Sequence, residues 1–164
     1  MEKFITRINT IDPQDLTDEW LFSEWRELPR IVNELIDHPK RFVWKDIPAE
    51  YTLGKGHVKF MRNKLLFLAK RHASLIAELD LRGMKYNVDI VVQLDKLTPA
   101  LQMIACKDWC PTKRDHTILI ERLDERFYLR KKKYHMTTCN NTKSVVNCDE
   151  TYNEYKVQHL DKYV

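Results

Sequence analysis

Residues 12–37 constrain the fold more than any other stretch of the chain. Leu21, Trp25, Leu28, Val32 and Leu35 recur at steps of four and three, which makes one apolar stripe along a helix. Asp12 suits an N-cap and Pro13 the first helical position. Pro29 falls inside the stripe. It is expected to bend the helix, because proline lacks an N–H and clashes with the preceding turn. His38-Pro39 is expected to end it. On the outer surface Arg26 and Arg30 share a face, and Glu27 lies about 100° round the axis. On composition alone this trio reads as a salt-bridged helix surface.

Two further long helices are expected. One runs from about His57 to Arg82, with Met61, Leu65, Leu68, Leu75, Ile76 and Leu79 inward, and Lys64, Lys70, Arg71 and Arg82 outward. His72 falls on its apolar side as a hydrogen-bonded structural residue, and Gly83 suits the C′ position. The other starts near Thr112, with Ile120, Leu123 and Phe127 inward and Arg122, Arg126 and Arg130 on one positive ridge. Leu97 to Ala105 reads as a short helix, and the β-branched run after Tyr86 as extended chain or a helix start. Residues 137–151, rich in Thr, Asn, Ser and Asp, read as a mobile loop. The expected fold is all-α, one domain over residues 1–164 built on three long helices.

The 164 residues suit a single core, and 43% hydrophobic with 32% charged residues excludes a disordered chain. A net charge of +4 permits a polyanionic partner without demanding one. No apolar run reaches the ~18 residues that span a bilayer, and the N-terminus has no secretory pattern. Cys106 and Cys110 lie four apart, Cys139 and Cys148 nine apart, and neither is the spacing of a zinc knuckle. Reduced cysteines, no metal and no cofactor are expected, even with His116 and His135 counted as potential ligands. Gly54-Lys55-Gly56-His57 offers backbone N–H groups before a helix but lacks the P-loop pattern.

Four blocks in order carry a resemblance: Thr6-Arg7-Ile8-Asn9, Arg26-Glu27-Leu28-Pro29-Arg30, Leu53-Gly54-Lys55-Gly56-His57-Val58 and Arg122-Leu123-Asp124-Glu125-Arg126. The chain resembles the phage pyrimidine-dimer DNA glycosylase family, endonuclease V, over roughly residues 6–134. The resemblance implies a monomeric DNA-repair enzyme acting on double-stranded DNA in the cytoplasm or nucleus of a host cell. Such an enzyme flips a damaged base, attacks C1′ with an amine and passes through an imine to strand cleavage. It implies Thr6 as the carrier of the amine, Glu27 as the acid beside it, and Arg7, Arg26, Arg30, Arg122 and Arg126 as phosphate contacts.

The sequence departs from the family in three places. Residues 1–5 precede Thr6, whose nitrogen therefore lies in a peptide bond with Ile5. A protein on the same fold that binds DNA without excision is the alternative expectation, and Lys3 and Met1 are possible substitute amines. Trp20 stands where the family has a histidine. The segment after residue 136 diverges, with Tyr152 to Lys156 or Lys133 to His135 in place of an aromatic-basic tail.

Overall fold

The computed structural model describes residues 7–130 and 133–164. Helical turns account for 61% of it, beside one two-stranded sheet, so the all-α expectation holds with a small addition. Of the three expected long helices, the third forms, and the first two are divided. The first is divided. Asp12 caps only a 3-10 turn, Pro13–Asp15, by accepting from Gln14 N at 3.0 Å. Thr17 then starts α1 (Asp18–Glu27), its Oγ1 accepting from Trp20 N at 3.4 Å. Pro29 interrupts the helical bonding and opens α2 (Pro29–Asp37), and Pro39 follows its end. The second is divided as well. After α3 (His57–Met61) the chain turns through Arg62 and Asn63, and Lys64 makes an isolated antiparallel bridge with Cys106 before α4 (Leu65–Leu81) begins.

The chain forms two compact units. The first comprises, of the described residues, Arg7 and Ile8, Glu24–Ser74 and Asn87–Cys110. It includes the short α5 (Pro99–Ala105), capped by Thr98, and the run after Tyr86 is neither plain extended chain nor a helix start, because it turns where Ile90 N–H donates to Asn87 O at 3.2 Å and Asp89 N–H to Asn87 Oδ1 at 2.9 Å. Its buried residues include Trp25, Leu28, Val32, Leu35, Met61, Leu65 and Leu68. Tyr51 stacks on Trp109 with centroids 5.6 Å apart, and the edge of Phe60 meets both rings.

The second unit comprises Asn9–Ser23, Leu75–Tyr86 and Pro111–Val164. Gly83 adopts φ +65°. Its N–H reaches Asp80 O while Met84 N reaches Leu79 O, the Schellman end that glycine permits. Thr112 and Asp115 exchange bonds to begin α6 (Lys113–Arg130), which buries Ile120, Leu123 and Phe127. Residues 137–151 are not a loop. The strands β1 (Tyr134–Thr137) and β2 (Lys143–Val146) pair antiparallel, turning at Asn141 with φ 57°, and α7 (Asp149–Tyr155) follows. Two further helical turns, Lys156–Leu160 and Asp161–Tyr163, close the chain. Trp20 is buried between Tyr134 and Tyr155, so it serves as core where a histidine was expected. Phe127 and Tyr152 stack at 3.9 Å.

Arg71 and Arg82 are not on the surface. Arg71 forms a two-bond pair with Glu24 at 2.9 and 3.0 Å, its side chain 7% exposed. Arg82 is wholly buried and pairs with Asp18 and Glu78. Each is tolerated inside because acids and carbonyls take up its donors. Lys64 is half-buried, its Nζ bonded to Phe60 O and Asn63 Oδ1, and burial lowers its pKa to about 8. No helix among the described residues is long and apolar enough to cross a membrane.

Candidate active site

The last turn of α1 and the first turn of α2 bring three expected residues together. Glu27 is 11% exposed at its side chain, whereas Arg26 is 50% and Arg30 65% exposed. A screened acid therefore stands between two cations that open to solvent. Arg26 Nε donates to Glu27 Oε1 at 3.2 Å. Arg30 Nη1 lies 2.7 Å from Oε2 as an ion pair, but without the alignment of a hydrogen bond, so that buried oxygen receives no aligned donor from the described residues. Glu27 also ends α1, where the helix dipole opposes negative charge. The flanking guanidiniums offset that opposition and keep donors for a further anion.

Within the same unit Ile8 is fully buried and lies outside any helix or strand. Its peptide groups are satisfied by side chains from far along the chain. Ile8 N–H donates to His57 Nε2 at 2.7 Å, and Tyr51 Oη donates to Ile8 O at 3.0 Å. His57 Nδ1 faces Thr52 O at 2.8 Å. A carbonyl only accepts, so the proton sits on Nδ1 and Nε2 carries the lone pair. Burial, foremost, lowers the His57 pKa to about 4, the nearby charge of Arg7 adding to this and Thr52 and Glu24 opposing it. The glycine-rich block serves this histidine. A Cβ on Gly56 would meet Thr52 Cγ2 at 2.8 Å, so glycine lets the Thr52 segment close on His57.

Arg7 belongs to this unit and is half-buried. Thr6, Lys3 and Met1 lie outside the described residues. Arg122 and Arg126 belong to the second unit, four apart on α6, and both are half-exposed. Their ridge is not of one sign, because Glu125 Oε2 stands 3.2 Å from Arg122 Nε. The sequence reading missed His57, Tyr51 and the Glu24–Arg71 pair. A histidine directly after a glycine-rich turn was the only local signal for any of them. His116 meets Thr10, and His135 meets Glu19 at 2.5 Å. Among the described residues no three His, Cys, Asp or Glu side chains gather as a metal site.

A buried carboxylate between two open guanidiniums suits a protein that handles a phosphodiester polyanion and stabilises positive charge beside it. The profile of the family described as pyrimidine dimer DNA glycosylase matches residues 5–92, more than half of the chain, and the protein belongs to that family. Family membership makes it a DNA glycosylase of DNA repair. The matched stretch holds Thr6, Arg7, Arg26, Glu27, Arg30 and His57, and ends before Arg122 and Arg126.

Proposed function

We propose that this glycosylase excises a damaged pyrimidine, a dimer or a related lesion, through an amine and then cleaves the strand as a lyase. The amine nitrogen bonds to C1′ while the N-glycosidic bond breaks, and its electron pair and a proton leave with the base. The sugar ring opens to a protonated imine. Loss of a C2′ proton passes the C–H electron pair to the imine as an enamine, which returns it to form the C2′–C3′ double bond while the 3′ phosphate leaves with the C3′–O pair. Glu27 stabilises the cationic sugar and carries protons between these steps. Arg7, Arg26 and Arg30, with Arg122 and Arg126, neutralise phosphates around the opened base pair. The amine is assigned to Thr6 after cleavage of the Ile5–Thr6 peptide bond has freed it, with Lys3 and Met1 as alternatives in the uncleaved chain. The observation that carries the reading is the Glu27 carboxylate, screened from solvent, with one buried oxygen that receives no aligned donor among the described residues, while Arg26 and Arg30 remain open to solvent.

Borohydride reduction on duplexes bearing an abasic site or a pyrimidine dimer tests it. A covalent adduct is expected, and its mass map names the amine. Glu27→Gln keeps the shape and removes the charge, so duplex affinity should stay within about threefold while excision falls on the order of 10²-fold or more. Full activity in that variant would reduce Glu27 to a surface partner of two arginines. Firm binding with no adduct from the wild type would instead make the protein a DNA binder on a glycosylase scaffold.

A further inference from the structure

Both backbone polar groups of Ile8 are held, and neither is held by secondary structure. The N–H is bonded by His57 and the C=O by Tyr51, residues 49 and 43 positions away. His57 is itself fixed at its other nitrogen by Thr52 O, and Tyr51 by stacking on Trp109. All five residues belong to one unit. The two side chains also pack edge to face at 5.5 Å, so neither moves alone. This is a rigid seat for one peptide, built from aromatic side chains with few rotamers.

We infer that His57 and Tyr51 are positioning residues for the excision reaction, holding the Ile8 peptide so that an amine just upstream is kept in place. The inference rests on the amine-dependent reading above. Chain geometry supplies the leverage: a nitrogen on residue 6 lies no more than about 7 Å from Ile8 N, whatever the intervening torsions. A nitrogen five residues further upstream can wander over about 17 Å more. The seat therefore constrains a Thr6 amine, freed by cleavage after Ile5, far more than the Met1 amine of the uncleaved chain. Rates of oriented attack respond to such constraint, and a misplacement of about 1 Å costs about 10²-fold. Neither residue needs to touch DNA for this effect.

The test compares the wild type with His57→Ala, His57→Gln and Tyr51→Phe in single-turnover borohydride trapping on an abasic duplex. Duplex affinity and circular dichroism are measured alongside. Glutamine places an acceptor near the position of Nε2 and a donor beside it, so it restores the bond to Ile8 without a ring. His57→Ala is expected to slow trapping at least tenfold with affinity within threefold, and to spread the adduct over other amines. His57→Gln should return the rate to within threefold of the wild type. Tyr51→Phe, which removes one hydroxyl, should slow trapping severalfold, and it decides the matter if His57→Ala does not fold. A folded His57→Ala or Tyr51→Phe that traps at the wild-type rate on the wild-type residue overturns the inference and leaves the reaction standing. A wild type that gives no adduct overturns the reaction, and with it the positioning role.

Discussion

A guanidinium has five N–H groups, and Arg82 shows what happens when a protein engages them inside. Its donors reach Asp18 Oδ1 at 2.8 Å, Glu78 Oε1 at 2.7 Å, and the carbonyls of Leu16, Pro13 and Gln14 at 2.8 to 3.1 Å. Arg82→Ala would leave two acids and three carbonyls facing a void, and urea unfolding should show a loss of about 3–5 kcal/mol. Lysine should not rescue it, since one ammonium cannot replace a planar fork. A loss below 1 kcal/mol would mean that water replaces the arginine freely. Sequence pattern placed Arg82 and Arg71 outside because their partners, Asp18 and Glu24, are 64 and 47 residues away. Helical periodicity sees one element and not what lies opposite it. His57 makes a second residue-scale test. Its folded pKa of about 4 lies below the ordinary histidine value of 6.5, so the unfolded chain binds the extra proton first as pH falls. Its contribution is complete above pH 6.5 and is lost between 6.5 and 4, an upper bound of about 3 kcal/mol. His57→Gln should flatten that limb of a stability–pH curve, and an unchanged limb would assign it to other groups.

At the scale of elements, Pro29 explains a histidine. An uninterrupted helix would have residue 29 donate to the carbonyl of Trp25, and proline has no N–H to give. His72 on α4 donates instead, its Nε2 standing 3.1 Å from Trp25 O. The sequence showed both halves of this arrangement, the proline inside an apolar stripe and the histidine on another, but not that one answers the other. His72→Leu should cost about 1–3 kcal/mol by taking a donor away from a buried carbonyl. In a Pro29→Ala background, where the helix supplies its own donor, the same change should cost less. A double-mutant cycle by denaturant unfolding reads that coupling, and strict additivity would show that Trp25 O is satisfied some other way. The long apolar stripes were legible because burial follows helical periodicity. Their interruptions were less so, and the hairpin was not. Its strands are four residues each, too short for alternation to show, and its polar turn at Asn141 resembles any loop. Arg26, Glu27 and Arg30 were legible as a trio from spacing alone, whereas the screening of the acid between open cations comes from the packing around Leu28 and Pro29.

For the whole molecule the open question is how far the DNA surface extends. The net charge of +4 is small, so binding depends on where cations stand and not on their total. Arg26 and Arg30 belong to the first unit and lie in the stretch that matches the family, while Arg122 and Arg126 belong to the second and lie beyond it. Each phosphate neutralised by one of these arginines releases condensed counterions, and log K then falls with log salt by about 0.9 per contact. Alanine at Arg26 or Arg30 should therefore lower the slope by about one and weaken binding to any duplex sequence alike. The proposed surface requires the same of Arg122 and Arg126. Arg122 has Glu125 beside it as Arg30 has Glu27, so in both a contact with DNA shares its cation with an existing ion pair. The measurement is duplex affinity at several salt concentrations for the four single variants and the two pairs. Four slopes each reduced by about one, adding in the pairs, would extend the DNA contact to Arg122 and Arg126. A change confined to Arg26 and Arg30 would limit the DNA contact to the first unit and remove α6 from the site.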